Sequence, residues 1–216
     1  MKKIHSDLYV SKAEQPFNNT VTTVSYFIKS NKENYLLYSS SHLLDNLHSN
    51  FIKDNGGVKA QILNHRDEAS PILKDIRNTF QSKLVCHELE KDAITNFSTI
   101  DHLITDETPL FDNFKVIHTP GHAPGSTSYL YSGQKGNYLF TGDTLYLSQG
   151  QFRVAISDEN RLQMIESLLK LQSLEVDGIF PGLYIGDESF RLFNTNNDFS
   201  KQLQPLITSL QNQTFR

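Results

Sequence analysis

The sequence predicts an α+β fold of four layers, αββα: two mixed β-sheets packed face to face with helices outside. Strand-like runs fall into two groups, one in each half of the chain, and helical patterns are interspersed in both. A sheet with an apolar face must bury it against another layer, and the interspersed helices supply that outer cover. Polar, titratable residues stand just after strand ends, where a rigid scaffold usually presents its chemistry.

The elements follow in order. Residues 21–29 are rich in β-branched and aromatic side chains, as are residues 34–39, and Ser30-Asn31-Lys32-Glu33 between them is turn-like. The pair reads as a β-hairpin. Residues 42–53 carry Leu43, Leu44, Leu47 and Phe51 at helical spacing, and Asn55-Gly56-Gly57 stops that helix. Residues 58–63 form a strand that runs straight into Asn64-His65-Arg66-Asp67-Glu68. Pro71 opens a helix to Phe80, because proline is tolerated in a first turn. Residues 84–86 form a short strand. In the second half, residues 114–118 form a strand ending in Thr119-Pro120-Gly121-His122, and residues 126–131 and 138–140 form two more. Residues 160–171 read as an amphipathic helix, and residues 178–180 as a short strand ending in Pro181-Gly182. Residues 198–210 are the last helix, with an asparagine-rich start before it and a frayed polar tail after it.

At 216 residues the default is one domain, 1–216. A chain of this length buries roughly 70% of its unfolded surface without disulfide staples. Cys86 is the sole cysteine, so an internal disulfide is impossible, which fits a reducing compartment. The start MKKIHSDLYV lacks the apolar run of a signal peptide, and no stretch approaches the ~20 apolar residues that span a bilayer. The expected location is therefore cytoplasmic, with no membrane partner. A net charge of -4 without a lysine or arginine stripe leaves no electrostatic footprint for nucleic acid. The expected partner is a small-molecule substrate.

Three segments carry chemistry: His65-Arg66-Asp67-Glu68, His122 within Thr119-Pro120-Gly121-His122-Ala123-Pro124-Gly125-Ser126, and Asp143 within Phe140-Thr141-Gly142-Asp143-Thr144-Leu145. Each sets a histidine or carboxylate at the end of a hydrophobic strand. Imidazole nitrogen and carboxylate oxygen are the usual ligands of zinc and similar divalent ions.

These segments resemble the metallo-β-lactamase superfamily, which includes glyoxalase II-like thioesterases and other metallo-hydrolases. The family's first motif is H-x-H-x-D-H after a strand. Its second is the histidine of T-P-G-H-T-x-G-S, its third the aspartate of F-T-G-D-T-L, and its fourth a histidine near the C-terminus, often in P-G-H. The resemblance covers roughly residues 20 to 187, with the motifs in the family's order. It implies the metallo-β-lactamase fold, and metal ligands at His65, Asp67, His122 and Asp143.

The departures are informative. Aligning Asp67 with the motif aspartate puts Leu63 at the first histidine position and Glu68 at the third, and Leu183 falls where the last histidine stands. By the resemblance, one site keeps His65, His122 and the bridging Asp143. The other keeps Asp67 and Asp143, with Glu68 as a possible oxygen ligand in place of a histidine. Such an oxygen-rich set favours manganese, magnesium or iron over zinc. One divalent ion is therefore expected more readily than two, zinc first, with iron or manganese as alternatives. The reaction the resemblance implies is hydrolysis of an ester, thioester or amide by metal-bound hydroxide, with Asp67 orienting the nucleophile. Two rival readings stand beside it. One is a pseudoenzyme that acts as a binding module, since leucine cannot bind metal. The other is an iron-dependent oxidoreductase on the same fold.

The other titratable residues have plainer readings. Asp67 and Glu68 also fit the acidic first turn of the following helix, which the macrodipole favours. Asp143 also fits an Asx-turn after Gly142. His118 reads as a structural hydrogen-bonder. His42 fits either a helix N-terminus or a substitute ligand. His5, His48, His87 and His102 are expected at the surface, and Cys86 as a small buried hydrophobe.

Overall fold

The computed structural model describes residues 1–105, 110–111 and 113–212. Among these, one mixed sheet has seven strands in the order Lys2–Lys3, Leu8–Val10, Tyr26–Ile28, Tyr35–Leu37, Ala60–Ile62, Lys83–His87 and His102–Ile104. The first four pair antiparallel, and from Tyr35–Leu37 onward the pairing is parallel. The parallel half needs crossovers, and the helices Asn46–Asp54, Ile72–Phe80 and Lys91–Thr95 supply them.

A second sheet has five strands in the order Arg191–Leu192, Gly178–Pro181, Gly136–Gly142, Thr127–Gly133 and Phe114–His118. A ladder of four, Gln151–Arg153, Tyr146–Ser148, Leu183–Ile185 and Thr22–Thr23, continues from it. Two of its strands are prolonged into that ladder, Gly136–Gly142 through Asp143 and Gly178–Pro181 through Gly182. The expected second sheet is thus split into two ladders at the level of Asp143.

The expected strand over residues 21–29 is divided as well. Thr22–Thr23 pairs with Leu183–Ile185, whereas Tyr26–Ile28 sits in the seven-stranded sheet. Between them the Val24 N–H donates to the Gly182 carbonyl at 3.1 Å, and the Ser25 N–H donates to Ser11 Oγ at 2.9 Å. The backbone keeps its hydrogen bonds while crossing from one layer to the other.

Alternation along each strand assigns the layers, because successive side chains point to opposite faces. Tyr26, Ile28, Tyr35, Leu37, Ile62 and Val85 meet Tyr129, Tyr131, Tyr138, Phe140 and Phe180 between the sheets. Tyr26 stands edge-on to Phe140 at 5.6 Å and to Phe180 at 5.5 Å. Such pairs add about 0.5–1.5 kcal/mol each beyond their burial. Phe27 and Leu36 point the other way, to Leu43, Ile52, Ile76 and Phe80 of the first helical layer. Leu139 and Ile179 face Met164, Leu168, Phe199 and Leu203 of the helices Arg161–Gln172 and Asn196–Asn212. The result is helix, sheet, sheet, helix.

Most helices fall where their patterns put them. Two depart: the short helix Lys91–Thr95 forms where no helix is expected, and in the first helix Asp45 is extended (φ -59, ψ 141) and separates a short turn, Ser41–Leu44, from the helix Asn46–Asp54. The last helix includes Pro205 and starts under a cap in which Asp198 accepts from the Thr195 N–H at 3.1 Å. The tail from residue 213 onward lies outside the described residues. No helix is long and apolar enough to cross a membrane among the residues described.

Two histidines expected at the surface are buried. His48 accepts from the Lys12 N–H at 3.2 Å, and His87 accepts from the Leu89 N–H at 3.2 Å while stacking on His118 at 4.6 Å. A polar ring that finds backbone partners can be buried at modest cost. His118 Nε2 donates to the Pro124 carbonyl at 2.8 Å, so it helps shape the loop that carries His122.

Candidate metal centre

The site forms where three core strands end together. The strand Ala60–Ile62 runs on to Asn64 and His65, and Arg66–Glu68 then makes one tight helical turn with His65 extended before it (φ -163, ψ 176). Asn64 fixes this loop to the facing sheet. Its side-chain amide N–H groups donate to the carbonyls of Thr127 at 2.5 Å and Phe140 at 3.2 Å, and its backbone carbonyl accepts from the Thr127 N–H at 2.9 Å.

The second segment leaves the strand Phe114–His118 as a closed loop. The Thr119 N–H donates to the Ser126 carbonyl at 2.8 Å, and Ser126 Oγ accepts from the Ala123 N–H at 2.9 Å. His122 Nδ1–H donates to the Ala155 carbonyl at 2.9 Å. A carbonyl can only accept, so in the neutral ring the lone pair is on Nε2, which faces the site.

The third segment follows Gly136–Gly142. Gly142 has φ +54, and a Cβ there would stand 2.7 Å from the Asn64 Cβ. Only glycine meets both conditions without strain. Tyr38, buried between the sheets, accepts from the Gly142 N–H at 3.0 Å and donates to the Phe180 carbonyl at 2.7 Å. Asp143 is thereby held at the sheet junction.

Four of the five residues expected as ligands converge. His65, Asp67 and His122 offer ligand atoms that all lie within 4.8 Å of one another. Asp143 Oδ2 lies 3.3 Å from His65 Nε2 and 3.8 Å from His122 Nε2, and Asp67 Oδ2 lies 3.2 Å from His122 Nε2. None of these approaches has hydrogen-bond geometry, and both Nε2 atoms are buried without a partner. Glu68 stands beside this group. Its Oε1 accepts from the backbone N–H of Asn64 at 2.7 Å and of His65 at 3.2 Å, and lies 3.3 Å from His65 Nδ1.

The electrostatics follow from this packing. Burial alone would lower the His65 pKa, but Asp143 and Glu68 outweigh it and raise the imidazole well above its ordinary value. His122 holds the Asp67 carboxyl below the usual range. Burial raises the Glu68 carboxyl, with His65 opposing.

The positions where the family pattern is broken are filled differently. Leu63 is fully buried against Leu73, Leu84 and Ile94, on the helical side of its sheet. Leu183 lines a cleft of about 510 Å³ that opens onto His65, Asp67, Glu68 and Asp143. His42 also lines the cleft, in the turn Ser41–Leu44, with Nδ1 2.9 Å from Asp45.

Sequence reasoning missed Glu90. Its carboxylate is fully buried and accepts from the Arg66 N–H at 2.9 Å, from the Arg66 guanidinium and from the Gly125 N–H at 2.6 Å. It ties the loop of His65 and Asp67 to the loop of His122. A Cβ on Gly125 would meet Glu90 Cγ at 2.7 Å, so the close approach needs that glycine. No local motif marks Glu90, since its partners lie 24 and 35 residues away.

A model of the metallo-beta-lactamase superfamily matches residues 59–183, which include His65, Asp67, Glu68, His122 and Asp143. Protein artemis of Danio rerio is 36% identical over 95 residues, 43% of this chain and 13% of that protein. The chain thus spans a small fraction of that relative's length. Among solved structures, a metallo-beta-lactamase from Pontibacter korlensis superposes with a TM-score of 0.67 at 14% identity, covering 98% of both chains. ETHE1 from Myxococcus xanthus gives 0.62 at 17% identity, over 95% of this chain and 92% of that one. These likenesses show the four-layer sandwich expected from the sequence.

Proposed function

The chain belongs to the metallo-β-lactamase superfamily, and from that premise we propose that it is a metal-dependent hydrolase of carbonyl esters, thioesters or amides. The observation that carries the proposal is the pair of buried, unpartnered nitrogens, His65 Nε2 and His122 Nε2, flanked by the carboxylates of Asp67 and Asp143. Buried polar atoms normally find partners. Two imidazoles and two carboxylates form a donor set suited to a divalent ion, zinc first, with iron or manganese as alternatives.

His65, His122 and Asp143 are the proposed ligands, with Asp67 at the cleft side. When bound, a divalent ion supplies Lewis acidity, polarising a carbonyl and lowering the pKa of water from about 15.7 to about 7. The chain's residues do the rest. Asp67 has 60% of its side chain exposed to the cleft and orients the attacking water. Glu68 and the Ala155 carbonyl, each behind a histidine, fix the two rings. A second ion is not proposed. Leu63 is turned into the outer core, Leu183 offers no donor, and Glu68 Oε1 is engaged by two backbone N–H groups.

The test is elemental analysis of protein purified without chelator, beside His122→Ala and Asp143→Ala, followed by a panel of ester, thioester and amide substrates. Near-stoichiometric metal that both substitutions remove, with turnover that follows the metal, is the expected result. Absence of metal, with no stabilisation of the fold by added zinc, manganese or iron, overturns the proposal and favours a non-catalytic binding module. Bound iron with oxygen consumption would point to an oxidoreductase instead.

A further inference from the structure

The cleft beside the candidate centre is unusual in its charge. Four carboxylates line it, from Glu14, Asp67, Glu68 and Asp143, and no lysine or arginine does so among the described residues. The Arg66 guanidinium, beside His65 and Asp67 in sequence, is paired with Glu90. His42 lies against Asp45. Two positive charges from a divalent ion would still leave this wall acidic. A bound ion must enter the local electrostatics, and it offsets only part of these four carboxylates.

The lining also has an apolar part, from Pro16, Phe17, Ile72 and Leu183, beside Ser39, Ser40, Ser41 and Ser70. Phe17 is 68% exposed at the rim. Its segment is anchored: the Glu14 N–H donates to the Thr23 carbonyl at 3.1 Å, the Thr23 N–H donates back at 2.8 Å, and Ser41 donates its N–H to the Glu14 carboxylate. Exposed Phe17 therefore stands in a bend just after the bridge at Glu14, facing a cleft of a volume usual for small-molecule sites.

We propose that the substrate is an uncharged or cationic carbonyl ester or lactone whose apolar group lies against Phe17, Ile72 and Leu183, and that substrates with a carboxylate or phosphate beside that group are rejected. This rests on the hydrolase reading above and narrows it. In the reaction, water adds to the carbonyl carbon, the bond to the alkoxy oxygen breaks, and the alcohol departs with a proton from the water, leaving the acid. Charge selects because an anion in this cleft meets fixed carboxylates that it cannot displace, a repulsion worth roughly tenfold in a partly solvated site. Chain length selects because covering Phe17 removes apolar surface from water.

The experiment compares metal-loaded protein on three p-nitrophenyl esters: acetate, hexanoate, and the monoester of adipic acid, whose far end carries a carboxylate. The expected kcat/KM is at least about tenfold higher for hexanoate than for the adipate monoester. Phe17→Ala lowers the hexanoate-to-acetate ratio about tenfold. Glu14→Lys narrows the gap between hexanoate and the adipate monoester. Asp143→Ala is the control on the underlying reading. If turnover persists in it, the hydrolase reading fails, whatever the ester preference. If turnover needs Asp143 but the adipate monoester is preferred or equal, the cleft proposal alone is overturned. Where no ester turns over, calorimetric titration with octyltrimethylammonium and octanesulfonate decides the cleft question directly. Tighter binding of the cation, weakened by Phe17→Ala, supports the proposal, and equal or tighter binding of the sulfonate overturns it.

Discussion

Glu90 holds Arg66 at three points, accepting from its backbone N–H at 2.9 Å, its Nε–H at 2.6 Å and its Nη2–H at 2.9 Å. The same carboxylate accepts from the Gly125 N–H at 2.6 Å. The two loops that carry His65 and His122 are thus referenced to one buried group. Removing its charge should loosen both. Glu90→Gln is expected to lose about 2 kcal/mol of unfolding free energy, less than a fully buried pair because Arg66 is partly exposed. It is also expected to bind metal roughly 10–100-fold more weakly. Urea unfolding and competitive metal titration check this, and a variant with unaltered metal affinity would show that Glu90 only stabilises the fold.

Gly142 stands directly before Asp143, at φ +54 and against Asn64. Gly142→Ala meets a left-handed backbone cost of about 1–2 kcal/mol and a clash with Asn64 of similar size. A loss of about 3 kcal/mol in denaturant unfolding is expected, together with metal loss. Destabilisation under ~1 kcal/mol would mean that the Asn64 loop yields easily.

Asp101 supplies a pH test remote from the site. Its carboxyl is held below the usual range, chiefly by Arg77, with the Leu84 N–H donating to it at 2.8 Å. A depressed folded pKa contributes stability above the unfolded value of about 3.9, and that stability is lost as pH falls through the folded value. The pair is partly solvated, so its contribution should be under ~1 kcal/mol. Asp101→Asn should therefore be less stable than the parent at pH 6, and the difference should shrink as pH falls below about 4. A difference that grows on acidification would contradict the assignment.

Cys86 is buried, and burial pushes its thiol up to about 12. The thiolate is the reactive form. The folded protein should be silent to a disulfide reagent at pH 8 and react once unfolded in denaturant. Rapid labelling of the native protein at that pH would show that the strand Lys83–His87 opens locally.

Much of the architecture was legible locally. The strands 58–63, 114–118, 126–131 and 138–140 and the helices after Pro71 and Asn160 follow from alternation, periodicity and breakers among near neighbours. The three motif segments announced themselves because each places a histidine or carboxylate just past a strand, with glycine beside the last two. The division of residues 21–29 between two sheets was not legible, since both halves are β-branched or aromatic strand formers and only their partners differ.

The sequence by itself determined the layers, the order of the strands' chemistry and the segments that place His65, His122 and Asp143 just past strand ends. The tertiary structure decided which of them meet. It turned Leu63 into the outer core, turned Glu68 Oε1 back onto its own loop, buried Glu90 beneath two motifs, and set Tyr38 under Gly142 across 104 residues of chain. It also gave the cleft its acidic wall, by drawing Glu14 to Ser41 and Arg66 to Glu90. The reason is physical: local pattern depends on side chains a few residues apart, whereas these contacts join strand ends that only sheet packing brings together.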